Sequence, residues 1–206
     1  MNIVPLLKWL VYNIYKKREN NMLKILKDLF ISKAEQASEI KGFHNNYDWL
    51  SNFYIIEPFI YDGIEFNTTE NFYQAMKTKD KEIRKHIAQL KPGQAKRYVN
   101  PEINKNFVVR EDWDKIKLSV MEYAIRIKFS QEDFKDLLLA TRNIYIEETN
   151  SWNDVFWGCN TAGEGQNHLG KIYMKIREEL KNNIDLLSNF KINENVIQIK
   201  KKKPLP

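Results

Sequence analysis

The segment Thr68-Thr-Glu-Asn-Phe-Tyr-Gln-Ala-Met-Lys77 carries a carboxylate, an amide and an amine at Glu70, Gln74 and Lys77, and it opens on residues suited to a helix start. At about 3.6 residues per turn the three fall within a narrow sector of one face. A carboxylate beside an amine can stabilise developing positive charge, orient water or activate a nucleophile. Phe72 and Met76, four apart, are expected to bury on a neighbouring face. A second reading fits the same residues. Asn67-Thr-Thr-Glu70 matches a capping box, in which Glu70 returns to the helix backbone and does no chemistry, and Lys77 is then an ordinary surface lysine.

A second stretch with chemical content runs from Trp152 to Gly170 (WNDVFWGCNTAGEGQNHLG). Trp152 and Trp157 flank Asp154 in a glycine-rich loop, an arrangement that leans toward a site rather than a core. Glycines ahead of a helix let backbone N–H groups face an anion such as phosphate, and Gly165 is where a phosphate is expected. A plain flexible connection reads equally well from Gly-x-Gly alone.

The elements that position these residues follow from local pattern. Tyr54-Ile-Ile, Phe59-Ile-Tyr61 and Ile64-Glu-Phe66 read as strand material, and Asp62-Gly63 between alternating apolar residues predicts a two-residue hairpin turn. The hairpin delivers the chain to the Glu70 helix. Short helices are expected over 79–90 and after Pro92-Gly93. Trp113, Ile116, Val120, Tyr123, Ala124 and Ile127 keep helical spacing over four turns and predict the central buried helix. A helix over 131–140, a short strand over 144–148 and an apolar-periodic helix over 169–180 complete the pattern.

The 206 residues, 43% hydrophobic and 13% aromatic, suit one soluble domain with extensions. A single cysteine, Cys159, excludes an internal disulfide, and His44, His86 and His168 show no metal-ligand spacing. No cofactor or metal is expected, and the setting is expected to be cytoplasmic. The net charge of +6 belongs to the ends: residues 1–40 hold seven Lys/Arg against four Asp/Glu, residues 182–206 five against two, and the segment between them 21 of each. A folded basic groove is therefore not implied. Ile3–Tyr15 is apolar but too short for a bilayer span and lacks the features of a secretory signal. Met22–Ile31 has a short amphipathic pattern, which fits either a membrane-surface or partner-binding helix or an extension packed on the domain. Lys200–Lys203 read as part of a solvated tail. The expected organisation is an extension over 1–40, a domain over 41–181 and a basic tail over 182–206.

The landmarks Trp49-Leu-Ser-Asn-Phe-Tyr54, Pro58-Phe59, Asp62-Gly63, Thr68-x-Glu70-x-x-Tyr73-Gln74-Ala-x-Lys77, Ala95-Lys96, Trp113-Asp-x-x-Lys117, Met121, Lys128-Phe-x-Gln131, Leu138-Leu-Ala-Thr141, Glu147, Asp154-x-x-Trp157-Gly158, Gly165-x-Asn167-x-Leu-Gly170 and Met174-x-x-Arg177 occur in order from about Phe43 to Leu180. This succession resembles the NADAR, or YbiA-like, N-glycosidase family. The resemblance implies a mainly helical α+β single domain with a small β-hairpin, acting on ribose-linked nucleobases. It implies an enzyme that cleaves an N-glycosidic bond, in a phosphoribosylated riboflavin-pathway intermediate or in ADP-ribosylated guanine, free or within nucleic acid. The family's acidic and lysine positions fall on Glu70 and Lys77, the lysine being a Schiff-base nucleophile in some members, and Asp154 joins them as a candidate catalytic carboxylate. Asn52, Phe53, Gln74, Trp113, Trp157, Gly158, Gly165, Asn167 and Gly170 are the substrate-binding candidates.

Three departures stand out. Asn71 replaces a histidine common in relatives and removes any proton role of that group. Tyr98-Val99 stand where glycine is usual, which bears on access to the pocket, and Cys159-Asn160 interrupt a run of small residues. The alternative to a hydrolase is a module that binds ADP-ribose or NAD without turnover.

Overall fold

The computed structural model describes residues 38–188 and 190–192. The expectations for Ile3–Ile31 and Lys200–Lys203 lie outside the described residues. Strand β1 (Glu39–Lys41) leads through a 3-10 helix at Asn45–Leu50 to the hairpin of β2 (Phe59–Tyr61) and β3 (Ile64–Phe66). Asp62 and Gly63 have φ of 49° and 75°, the left-handed pair that a two-residue hairpin turn requires. Six α-helices are described: α1 (Thr69–Ala75), α2 (Lys81–Gln89), α3 (Pro92–Tyr98), α4 (Trp113–Phe129), α5 (Glu132–Ala140) and α6 (His168–Lys181). Short strands β4 (Tyr145–Glu147), β5 (Thr149–Asn150) and β6 (Cys159–Asn160) lie between α5 and α6. The strands pair two by two, β1 with β4 parallel, β2 with β3 antiparallel and β5 with β6 parallel. They act as joints between helices rather than as a layer, giving a mainly helical α+β domain.

Helix α4 is the axis of the core, and all six of its periodic residues from Trp113 to Ile127 are buried. Helix α1 packs on α2, α3 and α4, while α6 packs on α4, α5 and β4. Phe72 of α1 is the pivot between hairpin and axis. Its ring lies 4.9 to 5.7 Å from those of Tyr61, Phe66, Phe59 and Tyr123, and aromatic pairs of this kind add about 0.5–1.5 kcal/mol each beyond area burial. The packing reaches past Lys181: Leu186 and Ile192 are buried, and Arg126 Nη1 donates to the Leu186 carbonyl at 3.1 Å. Among the described residues no helix is long and apolar enough to cross a membrane.

Tyr54–Ile56 is irregular rather than a strand. Side chains, not a neighbouring strand, satisfy the backbone on either side of it. Gln131 donates to the Glu57 carbonyl at 2.9 Å and accepts from its N–H at 3.1 Å, and Lys128 Nζ donates to the Ser51 carbonyl at 2.8 Å. Lys128 is fully buried, with the Tyr54, Phe129 and Phe134 rings 5.3 to 5.9 Å from Nζ, and burial lowers its amine to about 7.

An unfolded lysine titrates near 10.4. Between about pH 7 and that value the unfolded chain binds the extra proton, so this residue makes stability rise with pH across the window. Chemical denaturation of wild type and Lys128→Met across that range should show wild type gaining on the variant as pH increases. Parallel stability profiles would contradict the assignment.

Candidate active site

All seven residues of α1 are buried, although four of them are polar (Thr69, Glu70, Asn71 and Gln74). The Thr68 side chain caps the helix, accepting from the Asn71 N–H at 3.1 Å and donating to Asn71 Oδ1 at 2.7 Å. Glu70 therefore has no part in the cap, and the capping-box reading is overturned. Its N–H is taken by the Asn52 carbonyl at 3.0 Å, and its Oε1 accepts from Gln74 Nε2 at 2.7 Å. Gln74 Oε1 is buried with no partner. The Asn71 amide donates to the Ile87 and Leu90 carbonyls at the end of α2. Position 71 in this chain thus serves a helix junction and does not line the cleft.

Helix α1 ends at Ala75, so Lys77 stands just beyond it in a tightened last turn, with its N–H on the Gln74 carbonyl at 3.2 Å. The Lys77 carbonyl accepts from Arg110 N at 2.9 Å, and the Arg110 guanidinium is held by Asp112 through two bonds of 2.6 and 2.8 Å.

Glu70 opens onto a cleft of about 680 Å³ whose wall includes Lys41, His44, Asn52, Phe53, Lys96, Glu148 and Trp152. Burial pushes the Glu70 carboxyl up, while the Gln74 hydrogen bond, Lys96 and Lys77 pull it back down. Burial lowers the Lys77 amine to about 8 against the opposing pull of Glu70. Lys77 Nζ sits 5.6 Å from the Tyr73 ring centre and 5.8 Å from that of Trp113. Tyr73 in turn meets Trp113 at 5.0 Å and Trp157, edge on, at 5.5 Å. A carboxylate, a desolvated amine and three aromatic rings thus share one corner of the molecule.

Asn52, Phe53 and Glu70 are the expected site residues on the cleft wall. Asp154 Oδ1 accepts from the Phe156 and Trp157 N–H groups at 3.2 and 2.9 Å, so it shapes the turn that presents Trp157, while its charge raises the carboxyls of Glu70 and Glu148. Gly158, Gly165, Asn167 and Gly170 form a support behind the site. A Cβ at Gly158 would lie 1.9 Å from the Glu148 carbonyl oxygen, and one at Gly170 would lie 2.1 Å from that of Ile146. The first N–H groups of α6 are already satisfied within the chain: Asn167 by the Gly158 carbonyl, His168 by Phe156, Leu169 by Trp157 and Gly170 by Asn167 Oδ1. The expected phosphate site at this helix start is therefore corrected; its donors are spent on the loop.

Glu148, Tyr73 and Lys96 escaped the sequence reading as site residues. Glu147, the acidic landmark, is held by Thr149 Oγ1 at 2.8 Å, whereas its neighbour Glu148 reaches the cleft. Burial pushes Glu148 up to about 8, with Asp154 and Glu70 adding and Lys96 opposing. Tyr98 packs on His86 and Phe107, and Val99 is buried, so neither narrows the cleft. Cys159 and Asn160 form β6, and Asn160 Oδ1 accepts from the Ala162 and Glu164 N–H groups of the following turn. Among the described residues no group of His, Cys, Asp and Glu is arranged to hold a metal ion.

Comparison with known proteins gives a consistent picture. Residues 30–181 match the NADAR domain. The chain is 30% identical over 165 residues to N-glycosidase YbiA of Shigella boydii, covering 79% of this chain and 96% of that protein. It is 32% identical over 136 residues to a riboflavin biosynthesis protein of Vibrio vulnificus, covering 66% of this chain and 36% of that one. The NMR structure of YbiA from E. coli superposes with a TM-score of 0.61 at 30% identity, covering 73% of this chain and 92% of that one.

The electrostatics predict that Lys77 loses its proton with a midpoint near 8, and that Glu70→Gln, which removes the charge opposing this loss, moves the midpoint lower. Heteronuclear NMR of the Lys77 Nζ group tests this; an ordinary lysine midpoint, or an upward shift in the variant, would contradict the geometry.

Proposed function

The chain belongs to the NADAR family, and from that premise and the geometry of Glu70 and Lys77 we propose that it hydrolyses an N-glycosidic bond between ribose and a nucleobase. The observation that carries the reading is a buried Glu70 carboxyl on the cleft wall and a desolvated Lys77 amine within electrostatic reach of it. Cleavage develops positive charge at C1′ and the ring oxygen, which the Glu70 carboxyl stabilises in its ionised form; burial opposes that form, and the Gln74 hydrogen bond, Lys96 and Lys77 favour it. A lysine lowered to about 8 is partly neutral at physiological pH and so is a competent nucleophile.

In the proposed sequence the Lys77 Nζ lone pair forms a bond to C1′. The C1′–N pair leaves on the base, which takes up a proton, and Nζ releases one. Ring opening moves the C1′–O4′ pair onto a protonating O4′ and leaves a C1′=Nζ Schiff base. Water then adds, and the amine is returned. Gln74 fixes Glu70 through its amide and keeps an acceptor oxygen for a ribose hydroxyl. Trp113 and Trp157 supply stacking surface, worth roughly 1–3 kcal/mol per base.

Two substrate classes fit: a phosphoribosylated intermediate of riboflavin synthesis, supported by the name of the Vibrio vulnificus relative, and ADP-ribosylated guanine. A non-catalytic ADP-ribose sensor is less well supported, because Asn71 faces a helix junction and does not line the cleft. Turnover of ADP-ribosylated guanosine, alone and within an oligonucleotide, and of a phosphoribosylated aminopyrimidine is the test. Wild type should release ribose product from one of them, with Glu70→Gln and Lys77→Ala reduced by about 10²-fold or more while still folded. Unchanged rates in both variants would sink the assignment of the pair; tight ADP-ribose binding without release from any substrate would favour the sensor.

A further inference from the structure

The reaction above needs a proton on the departing nitrogen as the C1′–N bond breaks. Lys77 must be neutral to attack and frees a proton only once Nζ has bonded to C1′, and Glu70, to which Gln74 donates, is assigned to the ribose. A nucleobase or exocyclic amine nitrogen leaves poorly as an anion, so a third group must act as acid.

We propose that Glu148 is the general acid that protonates the leaving nitrogen. This rests on the N-glycosidase reading and adds a residue to it. Glu148 lines the same cleft as Glu70, and its Oε2 is buried with no hydrogen-bond partner. Its main chain is clamped on both sides: the N–H donates to Asn167 Oδ1 at 3.2 Å, and the carbonyl accepts from the Cys159 N–H at 2.9 Å. Gly158 lies so close to that carbonyl that no side chain fits between them. Backbone this constrained fixes the point from which the carboxyl reaches the cleft, as positioning of an acid requires.

The two cleft carboxyls share the upward push of burial and the charges of Asp154 and Lys96, and they differ in their other partners. Glu70 receives a hydrogen bond from Gln74 and faces the cations Lys77 and Lys96. Glu148 faces Asp154 from the loop before β6, Glu70 from α1 and Tyr173 from α6, with Lys96 of α3 as its opposing cation, and Lys41 and His44 line the same cleft. A carboxyl that receives a hydrogen bond and has a second cation in reach is favoured as the ionised stabiliser over one whose buried oxygen has no partner. Burial among carboxylates, which pushes Glu148 up to about 8, agrees with that division. As the C1′–N pair moves onto the base nitrogen, the Glu148 proton moves to the same atom. The base departs with a new N–H, Glu148 is left as a carboxylate, and it regains its proton from the one that Nζ releases on bonding to C1′; the water that later hydrolyses the Schiff base returns both hydrogens to the Lys77 amine.

The experiment is the pH dependence of kcat/KM for wild type, Glu148→Gln and Glu148→Asp on whichever N-glycoside the wild type cleaves. Wild type should give a bell, rising as the Lys77 amine is freed and falling as Glu148 ionises, with both limbs near 8 and belonging to the coupled group. Glu148→Gln should lose about 10²- to 10³-fold in kcat, keep KM within about threefold and retain only the rising limb. Glu148→Asp should recover part of the rate and the falling limb. A bell preserved in a slowed Glu148→Gln, or no slowing at all, overturns the acid while leaving the glycosidase intact. If Glu148→Gln does not fold, a Glu148→Asp profile that lacks the falling limb overturns it as well. A wild type that cleaves no N-glycoside overturns the glycosidase reading and the acid with it.

Discussion

The burial of one short polar helix is the constraint on which the rest depends. Thr69, Glu70, Asn71 and Gln74 are each no more than 6% exposed within the seven residues of α1. Polar groups taken out of water cost several kcal/mol each unless they find partners. Two of the four find theirs in neighbouring elements, Thr69 on Asn52 and Asn71 on the end of α2, while the Glu70 side chain takes a bond from Gln74 of its own helix and its N–H donates to the Asn52 carbonyl. The groups left short are Glu70, which lines the cleft, and Gln74, whose Oε1 is buried without a partner. Poor solvation, which elsewhere would only destabilise, here strengthens every charge interaction that a reacting ribose would meet.

The surrounding fold serves that helix from two directions. On one side the Arg110–Asp112 pair fixes the turn carrying Lys77, and the Tyr73 and Trp113 rings cover its amine, with Trp157 packed on Tyr73. On the other side Asn167 ties the start of α6 to the strand before it, through the Ile146 carbonyl and the Glu148 N–H, and the close backbone approach at Gly158 and Gly170 locks the joint. The Asn52–Phe53 wall is held from below by Lys128 and Gln131 of the core helix and its cap. The glycines and asparagine of the Trp152–Gly170 loop thus act on position, and the charged chemistry comes from α1 and from Glu148.

Elements whose signal is local were legible in the sequence. The Asp62-Gly63 hairpin needs two left-handed residues, and the six buried positions of α4 announce themselves by spacing alone. Glu70 and Lys77 were legible as a pair, but their roles were not, because a capping box and a catalytic face place the same residue types at the same spacing. Only the bond between Thr68 and Asn71 separates the two. Glu148 could not be found from pattern. It is the second of two adjacent acids after a three-residue strand, and which one enters the cleft is decided by long-range contacts with Asn167 and Cys159. Helix-start glycines suggested an anion site for a general reason, and that reason failed here because backbone carbonyls from the same loop occupy the donors first.

The measurement that bears most directly on the account is reductive trapping. Wild-type protein mixed with a substrate it turns over and with borohydride should acquire a ribosyl adduct, and peptide mass spectrometry should locate it on Lys77. Full turnover with no adduct on Lys77, or an adduct formed equally well on another lysine in Lys77→Ala, would contradict the claim that the buried end of α1 makes this amine the nucleophile.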